Sequence, residues 1–121
     1  MTTTKTLNKA DLYQFTGSEH LYRHALVRKI RFTDGAKYVA DAGGAYWLLD
    51  AIAFAQAFEK AVAAEAFQFW KLKVSNETAT LTCEDGNSNT VYRQEIEYTD
   101  FPLDEIAFYF TDNTILLVSE Y

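Results

Sequence analysis

The 121-residue chain has one cysteine, one proline and five glycines. A single cysteine excludes an internal disulfide framework and a cysteine-rich zinc site. So little proline and glycine excludes collagen-like, elastic and low-complexity chains. Motif spacings are missing too. Gly17, Gly35, Gly43, Gly44 and Gly86 build neither a Walker loop nor a dinucleotide fingerprint, and no nucleophile elbow, HExxH or EF-hand loop occurs. The longest apolar-rich stretch, Ala42 to Phe58, is broken by Asp50 and Gln56 and is short for a bilayer span. The polar opening Met1-Thr2-Thr3-Thr4-Lys5 lacks the apolar region of a secretory signal. These absences lead to the expectation of a cytoplasmic protein with no membrane association, and Cys83 fits a reducing compartment. With no repeat, linker or like-charge block, one domain over residues 1–121 is expected.

Aromatic residues are abundant instead, with nine Phe, eight Tyr and two Trp. Charge is unevenly placed. Residues 1–60 carry a net +2 and residues 61–121 a net −8, which together give −6. The basic group Arg23, Arg28, Lys29, Arg31 and Lys37 falls in one stretch, and the second half reads as an anionic surface.

Residues 8–16 read as a short helix with Asn8 as N-cap, Asp11 in the first turn and Gly17 as the stop. Residues 27–41 read as a hairpin turning at Asp34-Gly35, because type I′ turns need positive φ. Gly43-Gly44 then breaks the strand and a core helix runs from about Ala45 to Phe58. Its predicted packing arc is Trp47, Leu48, Ala51, Ile52, Phe54, Ala55 and Phe58, with Asp50, Gln56, Glu59 and Lys60 opposite. Ala61 to Ala66 extend it or form another short helix. Alternation then predicts three strands around Trp70–Val74, Ala79–Cys83 and Tyr92–Tyr98, turning at Asn76-Glu77 and 84–89. Their wet face sets Lys71 and Lys73 near Arg93, Glu95 and Glu97. After Pro102 a helical turn at 103–105 is expected. A last hairpin follows, Ile106 to Phe110 and Thr114 to Val118 around Asp112-Asn113. Because it is apolar on both faces, it belongs at the sheet centre or on a self-association surface. The predicted fold is α+β: an antiparallel sheet of five to seven strands with helices on one face.

Chemistry-bearing residues are few. His20 and His24 are four apart, so a helix would let them share a metal with Glu19, but the helix signal stops at Gly17. The expectation is no metal, no cofactor and no catalytic residue. Tyr22, Arg23, His24 and Arg28 instead offer stacking and bidentate hydrogen bonding to a partner's phosphate or carboxylate. Glu95 and Glu97 join them as candidate partner-binding residues. The helix N-terminus after Gly43-Gly44 reads as turn and core, and Cys83 as an inert inward thiol.

Three segments carry a resemblance: Glu19-His20-Leu21-Tyr22-Arg23-His24; Thr33-Asp34-Gly35-Ala36-Lys37-Tyr38-Val39-Ala40 with Gly44-Ala45-Tyr46-Trp47-Leu48-Leu49-Asp50; and Tyr98-Thr99-Asp100-Phe101-Pro102-Leu103-Asp104-Glu105-Ile106. Together they resemble a family of small uncharacterised bacterial proteins, often cyanobacterial and carried on plasmids or mobile elements. The resemblance implies no catalytic residues. Its mobile-element setting implies an inhibitor of a host defence system, comparable to an anti-CRISPR protein. The expectation is therefore a non-enzymatic protein-binding module, with a protein partner and a homodimer through the C-terminal hairpin. The alternatives are a nucleic-acid binder using the basic 23–37 stretch and a small enzyme using His20 and His24.

Overall fold

In the computed structural model, which describes residues 7–16 and 20–121, seven strands join one sheet. They are β1 (Leu21–Arg23), β2 (Arg31–Thr33), β3 (Phe67–Ser75), β4 (Thr78–Glu84), β5 (Thr90–Ile96), β6 (Glu105–Thr111) and β7 (Thr114–Leu117). Their spatial order is β1-β2-β7-β6-β3-β4-β5. Every neighbouring pair is antiparallel except β2 and β7, so the sheet is mixed rather than wholly antiparallel. Three helices, α1 (Asp34–Gly43), α2 (Tyr46–Phe58) and α3 (Lys60–Ala63), cover one face. This is an α+β fold.

The second half follows its alternation. On β3 Gln68, Trp70 and Leu72 are buried, on β4 Ala79, Leu81 and Cys83, and on β6 Ile106, Phe108 and Phe110. All point at the helices, since side chains alternate across a strand. Asn76-Glu77 and Asp112-Asn113 have positive φ throughout, as two-residue hairpin turns require. The β6–β7 hairpin lies inside the sheet, between β3 and β2. Its second apolar face packs among aromatic rings: Tyr109 lies 5.0 Å from Phe67, 5.6 Å from Phe69 and 5.0 Å from Tyr121. Residues 102–104 form a bend rather than the expected helical turn, and Glu105 already opens β6.

The first half departs from the sequence expectation. Asp34-Gly35 is not a hairpin turn but the first turn of α1, and the strand expected at 38–40 is helical. Thr33 caps this helix, its hydroxyl accepting from the Ala36 amide at 3.2 Å. Glu120 completes the cap from the other end of the chain. Its Oε1 accepts from the Thr33 hydroxyl at 2.6 Å and its Oε2 from the Gly35 amide at 3.1 Å. A Cβ on Gly35 would stand 2.5 Å from that carboxylate, so a larger residue here would displace the Glu120 side chain from the cap. The buried stripe Ala36, Val39, Ala40 and Gly43 has helical spacing. Gly44, at φ 61°, ends α1 in the left-handed conformation rather than breaking a strand. The hairpin partner of β2 is β1, reached through the 24–30 loop.

Residues 9–14 form a 3-10 helix with Asn8 as its N-cap, its side chain accepting from the Ala10 amide at 3.0 Å. The expected stop at Gly17 lies outside the described residues. On α2 the predicted arc is rotated. Leu48, Leu49, Ile52, Ala53, Ala55 and Gln56 are buried, Trp47, Ala51 and Phe54 are half-buried, and Phe58 is 77% exposed. Among the described residues no helix is long and apolar enough to cross a membrane.

Candidate functional site

Helix α1 sets Asp34, Lys37, Tyr38 and Asp41 on one outward side, since residues three, four and seven apart share a helix face. The β1–β2 pairing brings Tyr22 opposite Phe32, with the two rings stacked at 5.6 Å. From there the Tyr22 hydroxyl donates to Asp34 Oδ1 at 3.0 Å. His20 Nδ1 lies 3.6 Å from the other Asp34 oxygen. Lys37 stands 5.5 Å from the centre of the Tyr22 ring and bonds Asp41 at 2.7 Å. Asp41 also accepts from the Tyr46 hydroxyl at 2.5 Å. Tyr38 donates to Asp11 at 3.1 Å and packs its ring on Phe15. Tyr22, Asp34, Lys37, Tyr38 and Asp41 thus line an open depression of about 520 Å³.

The electrostatics hold these groups in their usual charge states. Desolvation opposes the Asp34 carboxylate, yet the Tyr22 hydroxyl and His20 together keep it below the ordinary 3.8. Desolvation likewise opposes Asp41, and Lys37 with Tyr46 outweighs it downward. Bonding to Asp34 raises Tyr22, bonding to Asp41 raises Tyr46 and Lys37, and desolvation followed by Asp11 raises Tyr38. The aspartates, tyrosines and lysine of the cluster therefore present fixed charge, donors and ring faces at neutral pH.

A pH dependence follows. In a window reaching down from about 4, the unfolded chain binds more protons at these aspartates than the folded one. Their stabilising contribution is present above that window and is lost as pH falls through the depressed folded values. The double variant Asp34→Asn/Asp41→Asn is expected to lose less melting temperature between about pH 6 and pH 3 than the parent does. Equal losses would remove these two carboxylates from the acid limb.

The residues singled out by sequence separate. Tyr22 belongs to the cluster. Arg23, on edge strand β1, and Arg28, in the adjoining loop, are exposed at the same end of the sheet. His24 is buried: its Nε2 lies 2.8 Å from Asp50 Oδ1 while its Nδ1 accepts from the Leu26 and Val27 amides at 3.2 and 3.0 Å. The accepting Nδ1 makes Nε2 the protonated nitrogen, so this ring spends both nitrogens tying the loop to α2. His20 and His24 therefore engage different carboxylates. Among the described residues no three His, Cys, Asp or Glu side chains gather as metal ligands. Glu95 and the exposed Glu97 lie at the opposite end of the sheet, where Glu95 bonds Arg93 at 2.8 Å and the Thr80 hydroxyl at 3.0 Å. The anionic surface expected there is interleaved, because Lys71, Lys73 and Arg93 share the open face with Glu84. Burial pushes the Cys83 thiol up to about 12, which keeps it protonated and unreactive.

The Asp34, Lys37, Tyr38, Asp41 spacing was the readable signal of the cluster, and reading 27–41 as a hairpin hid it. Comparison with curated proteins and with solved structures returned no match. Residues 6–121 match a family of unknown function, DUF6876, and the chain belongs to that family.

Proposed function

We propose that the protein is a non-enzymatic protein-binding module whose recognition surface is the β1 end of the sheet with the outer side of α1. One observation carries this reading. Leu26 is 71% exposed, Leu21 50% and Tyr46 44%, beside the exposed Arg23 and Arg28 and the tyrosine–carboxylate cluster. Apolar anchors and tyrosines among arginines are the composition of interface centres. The arginines and Lys29 favour an acidic partner segment. A reducing cytoplasm suits the unpaired Cys83. The finer form of the proposal, an inhibitor of a bacterial host defence system carried on a mobile element, is supported by the resemblance described above. In that form the partner is a component of such a system.

A second reading, single-stranded nucleic acid at the same end, is favoured by Arg23, Arg28, Lys29 and Arg31 falling on two adjacent strands and their loop. One experiment separates the two. The tagged protein is used to capture partners with and without nuclease, alongside Arg23→Glu, Leu26→Asp and, at the far end, Glu97→Lys. The protein-binding reading expects a nuclease-resistant partner lost in the first two variants and retained in the third. Nuclease-sensitive capture would replace it with the second reading, and capture indifferent to Arg23 and Leu26 would overturn both.

A further inference from the structure

The two edges of the sheet are guarded differently. Strand β1 is three residues long, too short to recruit much. Strand β5 is seven residues long and pairs on one side only, with β4. Natural edges of that length carry proline, lysine or bulges that block pairing. Over 92–96, Tyr-Arg-Gln-Glu-Ile, β5 has neither proline nor lysine, and its irregularity lies before this stretch, opposite Cys83 and Glu84.

We propose that β5 is the interface of a homodimer, two copies pairing antiparallel about a two-fold axis at Gln94. The strand is complementary to itself in that register. Arg93 of each copy falls opposite Glu95 of the other, twice, and Tyr92 falls opposite Ile96, twice. Moving the axis one residue either way opposes Arg93 to Arg93 or Glu95 to Glu95, so charge selects the register. The exposed Arg93–Glu95 bridge within each of the two copies is exchanged for the two across the axis, so the number of bridges is unchanged and the charges fix register rather than add pairs.

The apolar side agrees. Tyr92, Gln94 and Ile96 line one wall of a groove of about 470 Å³, with Trp47, Phe54 and Phe58 of α2 on the other. The pairing lays the two grooves side by side across the axis, running in opposite directions, with the α2 helices on their outer walls. Phe58, the most exposed large apolar side chain among the described residues, gains cover. This interface is at the opposite end of the sheet from the proposed recognition surface, so the two proposals stand or fall separately.

Sedimentation velocity of the full chain across micromolar concentrations tests it. The parent is expected to be a dimer. Arg93→Glu leaves four carboxylates facing, and Glu95→Arg four guanidinium groups, so each alone is expected to dimerise at least about tenfold more weakly. Mixed in equal amounts, the two restore both pairs and are expected to form a heterodimer. Circular dichroism checks that both variants are folded. Should either fail to fold, Gln94→Cys decides the matter. Directly opposed strand residues lie within disulfide reach, and Cys83 is buried, so mild oxidation is expected to cross-link Cys-bearing copies at position 94. A monomeric parent, a dimer indifferent to both reversals, a mixture no tighter than its components, or no cross-link would each overturn the proposal.

Discussion

Replacing Gln68 with leucine is expected to cost roughly 3–5 kcal/mol, the sum of several buried polar groups losing partners at 1–3 each after partial relaxation. Gln68 has no solvent exposure and sits on β3 under α2 and α3. Its oxygen accepts from the Trp70 indole at 2.8 Å and from the Gln56 amide at 2.7 Å. Its amide donates to Gln56 Oε1 and to the carbonyls of Val62 and Glu65, at 2.9, 2.9 and 3.0 Å. Among the described residues every buried side-chain nitrogen and oxygen has a partner, and this one glutamine supplies many of them. Leucine matches its volume closely, so little of the loss comes from a cavity. What is lost is the tie between helices and sheet. Gln56→Leu should cost less, and the double variant less than the two singles together, because the second substitution removes groups the first has orphaned. Urea unfolding followed by tryptophan fluorescence measures all three. A Gln68→Leu variant within about 1 kcal/mol of the parent would show that the network contributes little to holding the layers together.

That network also marks where sequence reading stops. Strands β3, β4, β6 and β7 were legible because burial on one face imposes period two, and because Asn76-Glu77 and Asp112-Asn113 are turn residues with a mechanism. Helix α2 was legible as a helix but not in its orientation. Within Tyr46–Phe58 only Asp50 and Gln56 mark a polar side, and that side misleads because Gln56 is turned inward by Gln68, a partner on another element. Phe58 is turned outward with no local marker to show it. The failure at Asp34-Gly35 is of another kind. The dipeptide suits a type I′ turn and also a helix start after Thr33, and local preference does not separate them. The deciding contact is Glu120, 87 residues from Thr33. With α1 misread, the Tyr22–Asp34–Lys37–Asp41 cluster could not be seen, although Tyr22 itself was singled out. The basic and acidic halves were legible as composition. Their distribution over the sheet depends on β6 and β7 inserting between β2 and β3, which charge alone does not specify, and the structure interleaves the two signs at both ends.

That insertion makes Leu117→Asp a severely damaging change. Leu117 is 3% exposed, lies on β7 opposite Phe108 of β6, and belongs to the buried cluster beneath α1. Its side chain stands where a Cβ on Gly35 would come within 2.7 Å, and its own amide donates to Glu120 Oε1 at 2.9 Å. An aspartate there would be a buried carboxylate facing Phe108 and close to the Glu120 carboxylate, which already caps α1. Both burial and like charge oppose it. The expected loss exceeds about 4 kcal/mol, most of the stability of an ordinary small domain. The variant should be unfolded or insoluble at ambient temperature. Its neighbour gives the control. Leu116 points to the open face, opposite Tyr109, and is half-buried there. Leu116→Asp should therefore stay folded, with a loss of about 1 kcal/mol. Thermal unfolding by circular dichroism distinguishes the two, and a folded Leu117→Asp, or a Leu116→Asp equally damaged, would contradict the assignment of faces on β7.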